Sequence, residues 1–167
     1  MAVILITGGA RSGKSTRAEA LARSFPAQPP IYIATAEAHD AEMEARIARH
    51  RARRIGWIER EVPLDLVPAL HATDGGGARL VDCLTLWLSN LMHAGRNWKD
   101  EVDTLATAVP DLKSPLIFVT NEVGLGIVPD NALARSFRDA AGIMNQVVAD
   151  VADKVEFVVA GLPMKLK

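Results

Sequence analysis

Short apolar runs alternate with longer amphipathic ones along this chain. Val3–Thr7, Ile31–Thr35, Arg79–Leu84, Leu116–Thr120 and Val155–Ala160 are brief and rich in Val, Ile or Leu. Runs of that kind suit strands covered on both faces. Between them, helical patterns predict helices over about Lys14–Ser24, Asp40–Arg54, Leu84–His93 and Asn131–Ala152, with a weaker one over Trp98–Val109 before Pro110. Strands that alternate with helices predict an α/β fold built on a mostly parallel sheet. Asp74-Gly75-Gly76-Gly77 reads as a flexible turn entering a strand. No repeat, low-complexity tract or linker interrupts the pattern, which predicts one domain over residues 1–167.

The first strand-to-helix junction carries chemistry. Gly8-Gly9-Ala10-Arg11-Ser12-Gly13-Lys14-Ser15 is a complete G-x-x-x-x-G-K-[ST] sequence, followed by Thr16 in a helix-forming stretch. A strand before it and a helix after it is the context this phosphate-binding loop requires. Gly8 and Gly13 leave room for phosphate oxygens, and the turn aims consecutive N–H groups and a helix N-terminus at them. Lys14 brings positive charge to the β- and γ-phosphates, and the Ser15 hydroxyl suits Mg²⁺. The chain is expected to bind a nucleoside triphosphate.

Composition narrows the class. At 167 residues and 49% hydrophobic, the chain can bury a sizeable core and is not a disordered protein. A net charge of −1 gives no basic excess for a nucleic-acid partner. The start, Met1-Ala2-Val3, lacks the charged segment of a signal peptide, and no apolar run is long enough to span a membrane. Cys83, the one cysteine, cannot form an internal disulfide, and its apolar setting suits a buried small hydrophobe better than a nucleophile. A cytoplasmic location is expected.

Further candidates each carry two readings. Asp82 ends a strand-like run and reads as a Mg²⁺-shell carboxylate or as the cap of the helix starting at Leu84. His50 shares a helical face with Met43, Ile47 and Arg54 and has Arg49, Arg51, Arg53 and Arg54 near it. Neighbouring cations disfavour its charged form, which would leave a neutral, nucleophilic imidazole. By pattern alone, an inward histidine is more commonly a packing residue, and an arginine run more commonly a solvated face. Thr120–Pro129 contains Asn121, Glu122, Gly124 and Gly126 after a buried strand, and reads as a site loop or a plain connection. In the helix that follows, Leu133, Phe137, Met144 and Val148 form an apolar stripe. Arg135, Arg138, Gly142 and Asn145 form a polar one, facing a ligand, a subunit or solvent.

Taken together, these pieces resemble one family end to end: the bifunctional adenosylcobinamide kinase / adenosylcobinamide-phosphate guanylyltransferases of cobalamin nucleotide-loop assembly. The resemblance rests on the phosphate loop, Tyr32-Ile33-Ala34-Thr35, Glu42–Arg51, Trp57 with Glu61, Asp82-Cys83-Leu84-Thr85 with Asn90-Leu91, and Val119–Pro129. It continues through Arg135–Asp139, Gly142, Asn145-Gln146 and Gly161-Leu162-Pro163. It implies a RecA-like P-loop NTPase fold, with ATP and GTP as substrates and Mg²⁺ as cofactor. It implies phosphoryl transfer to the aminopropanol hydroxyl of adenosylcobinamide, then GMP transfer from GTP to the resulting phosphate through a GMP–histidine intermediate. It maps that histidine onto His50, reversing the preference stated above. Catalysis falls to His50 and Lys14, and metal binding to Ser15 and Asp82. Nucleotide contacts map onto Gly8, Gly9, Ala10, Arg11, Ser12, Gly13, Lys14, Ser15, Thr16, Ile33, Ala34, Thr35, Arg51, Ala52, Arg53, Arg54, Glu61 and Asp82. The family's usual assembly is a homo-oligomer, typically a trimer. His71–Gly77 and His93–Ser114 match little. Two other readings of the phosphate loop are a small-molecule kinase without a covalent step and a regulatory nucleotide-binding module.

Overall fold

The computed structural model describes residues 1–25, 28–37, 51 and 54–167. Its elements are β1 (Val3–Gly8), α1 (Lys14–Ser24), β2 (Ile31–Ala34), β3 (Ile58–Glu61), α2 (Leu66–Ala72), β4 (Arg79–Asp82), α3 (Leu84–His93), α4 (Trp98–Ala108), a 3₁₀ turn (Val109–Asp111), β5 (Leu116–Val119), α5 (Ala132–Val151), β6 (Lys154–Val159) and β7 (Leu162–Lys165). The strands form one seven-stranded sheet in the order β3-β2-β4-β5-β1-β6-β7. Every pairing is parallel except β6 with β7.

The apolar runs are continuous because both faces of the sheet are covered. Along β1, Val3 and Leu5 enter one core while Ile4 and Ile6 enter the other. On the first face Leu66, Leu70, Trp87, Leu88, Leu91, Val102, Leu105, Met144 and Val148 pack from α2–α5. On the second, Ala18 and Ala22 let α1 approach Ile6, Leu80, Ile117 and Val119 closely.

The predicted strands, and the helices predicted around Lys14–Ser24, Leu84–His93, Trp98–Val109 and Asn131–Ala152, appear with small shifts. β4 ends at Asp82, since Leu84 opens α3, and β6 ends at Val159, since Ala160 turns the chain at φ 51°. Of the helix expected over Asp40–Arg54, only Arg51 and Arg54 fall within the described residues; Arg51 is helical and Arg54 is not. In α5, Met144 and Val148 are buried, but Leu133 is 70% exposed and leaves the expected stripe.

Arg79 departs from the usual place of an arginine. It is fully buried in β4 and donates to the carbonyls of Leu70 and Ser114 at 2.7 and 2.6 Å, with Asp74 at 3.1 Å. Asp74 in turn accepts from the Lys113 and Ser114 amides. The glycine turn Asp74–Gly77 is therefore clamped onto the start of β5. At Gly77 a side chain would sit 2.1 Å from the Pro29 carbonyl oxygen, so the close approach requires glycine.

Candidate active site

The phosphate loop lies between β1 and α1 at the carboxyl edge of the sheet. Gly13 caps α1 in a left-handed conformation, φ 99°. The loop is braced from the far end of the sequence. The β6–β7 turn, Ala160-Gly161, has both residues at positive φ, and the Gly161 amide donates to the Ser12 carbonyl at 2.8 Å. A Cβ on Gly13 would lie 3.0 Å from Gly161 Cα, and one on Gly8 would lie 2.5 Å from the Val158 carbonyl oxygen. These glycines are required by backbone packing as well as by phosphate access.

Lys14 is buried, and its ammonium donates to the Gly9 carbonyl at 2.8 Å, so it lies over the loop and not out in solvent. Burial pulls its pKa below the usual lysine value, while the nearby Cys83 and Asp82 oppose that shift. Asp82 is thus close enough to Lys14 for their charges to interact across the loop. Ser15 is half-buried in the first turn of α1, and Thr16, Ala10 and Arg11 are exposed.

One cross-strand row gathers much of the remaining machinery. In register, Glu61 of β3 pairs with Ala34 of β2, Ala34 with Asp82 of β4, Asp82 with Val119 of β5, and Val119 with Ile6 of β1. The phosphate loop begins just beyond Ile6, so Glu61, Ala34 and Asp82 face the same edge as Lys14. Asp82 Oδ2 accepts the Tyr32 hydroxyl at 2.9 Å. Burial, with the Asp82 charge beside it, raises the Tyr32 pKa, so the phenol stays a donor. Arg54 stacks 3.5 Å over the Tyr32 ring and pairs with Glu59 at 3.0 Å. The cap reading of Asp82 fails, because Cys83 occupies the N-cap of α3. Cys83 is buried, which pushes its thiol up to about 11 and leaves it unsuited to nucleophilic work.

The other mapped contacts divide. Ile33 is fully buried in the core, and its side chain has no face toward this edge. Thr35 is also fully buried; its hydroxyl donates to the Cys83 carbonyl at 2.7 Å and accepts from the Cys83 amide at 2.9 Å. Asn90 donates to the Thr35 and Pro63 carbonyls at 2.8 and 3.0 Å. Thr35 and Asn90 therefore fix the edge at which Asp82 stands. Arg51 pairs with Glu59 at 2.5 Å and Glu61 at 2.8 Å, which ties the residue after His50 to the carboxyl end of β3. Of the two arginines of this run that are described, Arg54 is buried, and Arg51, though exposed, is engaged by carboxylates. His50, Ala52 and Arg53 lie outside the described residues.

The polar stripe of α5 serves the loop after β5. Asn145 accepts from the Thr120 hydroxyl at 2.7 Å and donates to the Asn121 carbonyl at 3.3 Å; Arg135 donates to the Pro129 carbonyl at 2.9 Å. Thr85 accepts the Asn121 amide at 2.7 Å. Glu122, not among the expected site residues, donates its backbone amide to the Gly8 carbonyl at 3.0 Å. It lines a cleft of about 390 Å³ with Gly9–Ser12, Leu125 and Phe157–Ala160. Only the loop's position after a buried strand signalled it in the sequence.

A parallel sheet with a glycine-rich loop, a buried lysine and an acidic strand end at one edge defines a P-loop nucleotide-binding protein. Solved structures agree on the fold. The flagellar accessory protein FlaH from Methanocaldococcus jannaschii superposes with a TM-score of 0.54 at 14% identity, over 99% of this chain and 78% of that one. An ATPase from the type III secretion system of pathogenic bacteria gives 0.55 at 13% identity, over 98% of this chain and 56% of that one.

Sequence relatives are narrower. The family model described as cobinamide kinase / cobinamide phosphate guanyltransferase matches residues 4–166. The bifunctional adenosylcobalamin biosynthesis protein CobP of Pseudomonas aeruginosa is 47% identical over 98% of this chain and 96% of its own length. The CobU proteins of Salmonella typhimurium and Escherichia coli are 44% and 40% identical, each over 99% of both chains. The chain belongs to the cobinamide kinase / cobinamide phosphate guanyltransferase family.

Proposed function

We propose that this chain is a bifunctional transferase of a single catalytic domain. It moves the γ-phosphate of ATP or GTP to the aminopropanol hydroxyl of adenosylcobinamide. It then moves GMP from GTP to the new phosphate. The observation that supports this most directly is the convergence of Lys14, Asp82 and the Arg51–Glu61 pair on one edge of the sheet. Arg51, held by Glu61, stands at the same edge of the sheet as the triphosphate-binding loop.

In the first step the loop amides and Lys14 hold the triphosphate and balance the charge that builds on it. Ser15 and Asp82 would hold Mg²⁺: both offer hard oxygen donors near the loop. Among the described residues no group of three or more His, Cys, Asp or Glu forms a closed cage. Mg²⁺ takes few protein ligands and completes its shell with phosphate and water. When bound it neutralises charge on the β- and γ-oxygens.

In the second step the neutral His50 imidazole attacks the α-phosphorus of GTP. A nitrogen–phosphorus bond forms, and the bond to the bridging oxygen breaks as pyrophosphate leaves with its electron pair. A phosphate oxygen of adenosylcobinamide phosphate then displaces His50 and yields adenosylcobinamide-GDP. Arg51, the residue after His50 in the chain, is held by Glu59 and Glu61.

No helix among the described residues is long and apolar enough to cross a membrane. The exposed Leu125, Ile127, Val128 and Leu133 support a homo-oligomer, a trimer in this reading.

The test is incubation with adenosylcobinamide and GTP followed by mass analysis of the corrinoid. Both the phosphate and the GDP ester are expected. Protein labelled with α-phosphate-labelled GTP should carry acid-labile label on His50, and His50→Ala should lose it while keeping phosphorylation. Phosphorylation with no label on the protein would leave a small-molecule kinase without a covalent step. Nucleotide hydrolysis with no corrinoid product would leave a regulatory module.

A further inference from the structure

The two reactions differ in what their acceptor must lose. The first acceptor is an alcohol, which must shed a proton as its oxygen bonds to phosphorus. The second is a phosphate, already anionic at neutral pH. A group that takes up a proton is therefore needed in one step and not in the other. This inference rests on the two-step reading above.

Among the carboxylates at the carboxyl edge, Asp82 is bound by Tyr32 and faces Lys14, and Glu61 is bound by Arg51. Glu156 sits beneath the loop, buried and paired with Arg17 and Lys154. Glu122 differs from all three. It carries no ion pair among the described residues, and one carboxylate oxygen accepts the Gly124 amide, which fixes the side chain without neutralising it. Its backbone is fastened to the first glycine of the phosphate loop at 3.0 Å. Behind it, Thr85 and Asn145 hold Asn121. The carboxylate is half-buried in the cleft that the phosphate loop shares with Leu125, Phe157, Val158 and Val159. One wall of that cleft is the phosphate loop and the other carries Leu125, Phe157, Val158 and Val159.

We propose that Glu122 orients the acceptor hydroxyl and takes its proton during phosphoryl transfer. The hydroxyl oxygen bonds to the γ-phosphorus while its proton passes to the Glu122 carboxylate. The bond from the γ-phosphorus to the β,γ-bridging oxygen breaks, and its electron pair leaves on the nucleoside diphosphate. The proton then passes to water as the product departs.

Glu122→Gln keeps the shape and the Gly124 contact but removes the base. The measurement is the rate of both reactions in the same preparations, with adenosylcobinamide and with adenosylcobinamide phosphate as separate acceptors, alongside nucleotide affinity. The ratio of phosphoryl to guanylyl transfer should fall by about 10²-fold or more, the scale of a positioned general base. Nucleotide affinity should change less than about threefold. Glu122→Asp, which keeps the carboxylate, should restore part of the lost phosphoryl transfer. An equal fall in both reactions, or a loss of nucleotide affinity, would make Glu122 a loop brace or metal neighbour and overturn the proposal. So would undiminished phosphoryl transfer by the Gln variant. Failure of the wild-type protein on both acceptors would instead overturn the two-step reading itself.

Discussion

Tyr32 donates its hydroxyl proton to Asp82 across two neighbouring strands, and Arg54 covers a face of the same ring. The bond fixes one carboxylate oxygen of Asp82. Asp82→Asn should slow both transfers by about 10²-fold or more, the scale of losing a main electrostatic contact. It should also raise the Mg²⁺ concentration needed for half-maximal rate. Tyr32→Phe keeps the stacked ring and loses one hydrogen bond, so it should cost about 1 kcal/mol of stability. Mg²⁺ titrations of activity and denaturant melts of both variants check this. An unchanged titration for Asp82→Asn would remove Asp82 from the metal site.

Lys14→Ala tests whether one loop serves both reactions. Each transfer needs a triphosphate held by the same backbone cradle, so both rates should fall together by about 10²–10⁴-fold. Steady-state rates on the two corrinoid acceptors provide the readout. Near-normal guanylyl transfer would mean a second triphosphate site.

Gly13→Ala should damage stability and nucleotide affinity at once. The residue sits at φ 99°, and a Cβ there meets Gly161 Cα at 3.0 Å. The left-handed backbone alone costs about 1–2 kcal/mol for a residue with a side chain. The contact adds to this and pushes the β6–β7 turn off the loop. A denaturant midpoint and a nucleotide titration on one preparation measure the two effects.

Acid should weaken the fold through Glu156. This carboxylate is buried and held by Arg17, which donates two hydrogen bonds at 2.8 and 2.9 Å. Arg17 is the largest cause that lowers its pKa from 4.5 to about 2, with Lys154 assisting. The folded value lies below the unfolded one, so the stabilisation is complete above about pH 5 and disappears as pH falls toward 2. The difference is worth about 3 kcal/mol. Glu156→Gln should be less stable at pH 7, and its remaining stability should fall less steeply between pH 5 and 3. Denaturation at pH 7, 5 and 3 for both proteins gives the comparison.

What the sequence disclosed follows from what each element is for. β1, β2, β4, β5 and β6 were legible because both faces of the sheet are covered there and their runs are mostly apolar. β3 was not, because Ile58-Glu59-Arg60-Glu61 is a charged edge strand whose acids serve Arg51 and Arg54. β7 carries Pro163 on an exposed edge, where no apolar pattern is required. α2 is short and holds Pro68 in its first turn. In the site, the phosphate loop was legible because its residue types are fixed by phosphate chemistry. Thr35 was mapped as a nucleotide contact, but its side chain is spent on Cys83. Glu122 stood in a loop that one sequence alone could not separate from a connection. Its attachment to Gly8 bridges more than a hundred residues, beyond the reach of local pattern.

The brace between Gly161 and Ser12 also orders events during synthesis. The phosphate loop leaves the ribosome early, yet β1 pairs only with β5 and β6, both made far later. Until residue 161 emerges, the loop lacks its brace. β1 is thus secured only by strands made after it, and the brace on its loop follows both.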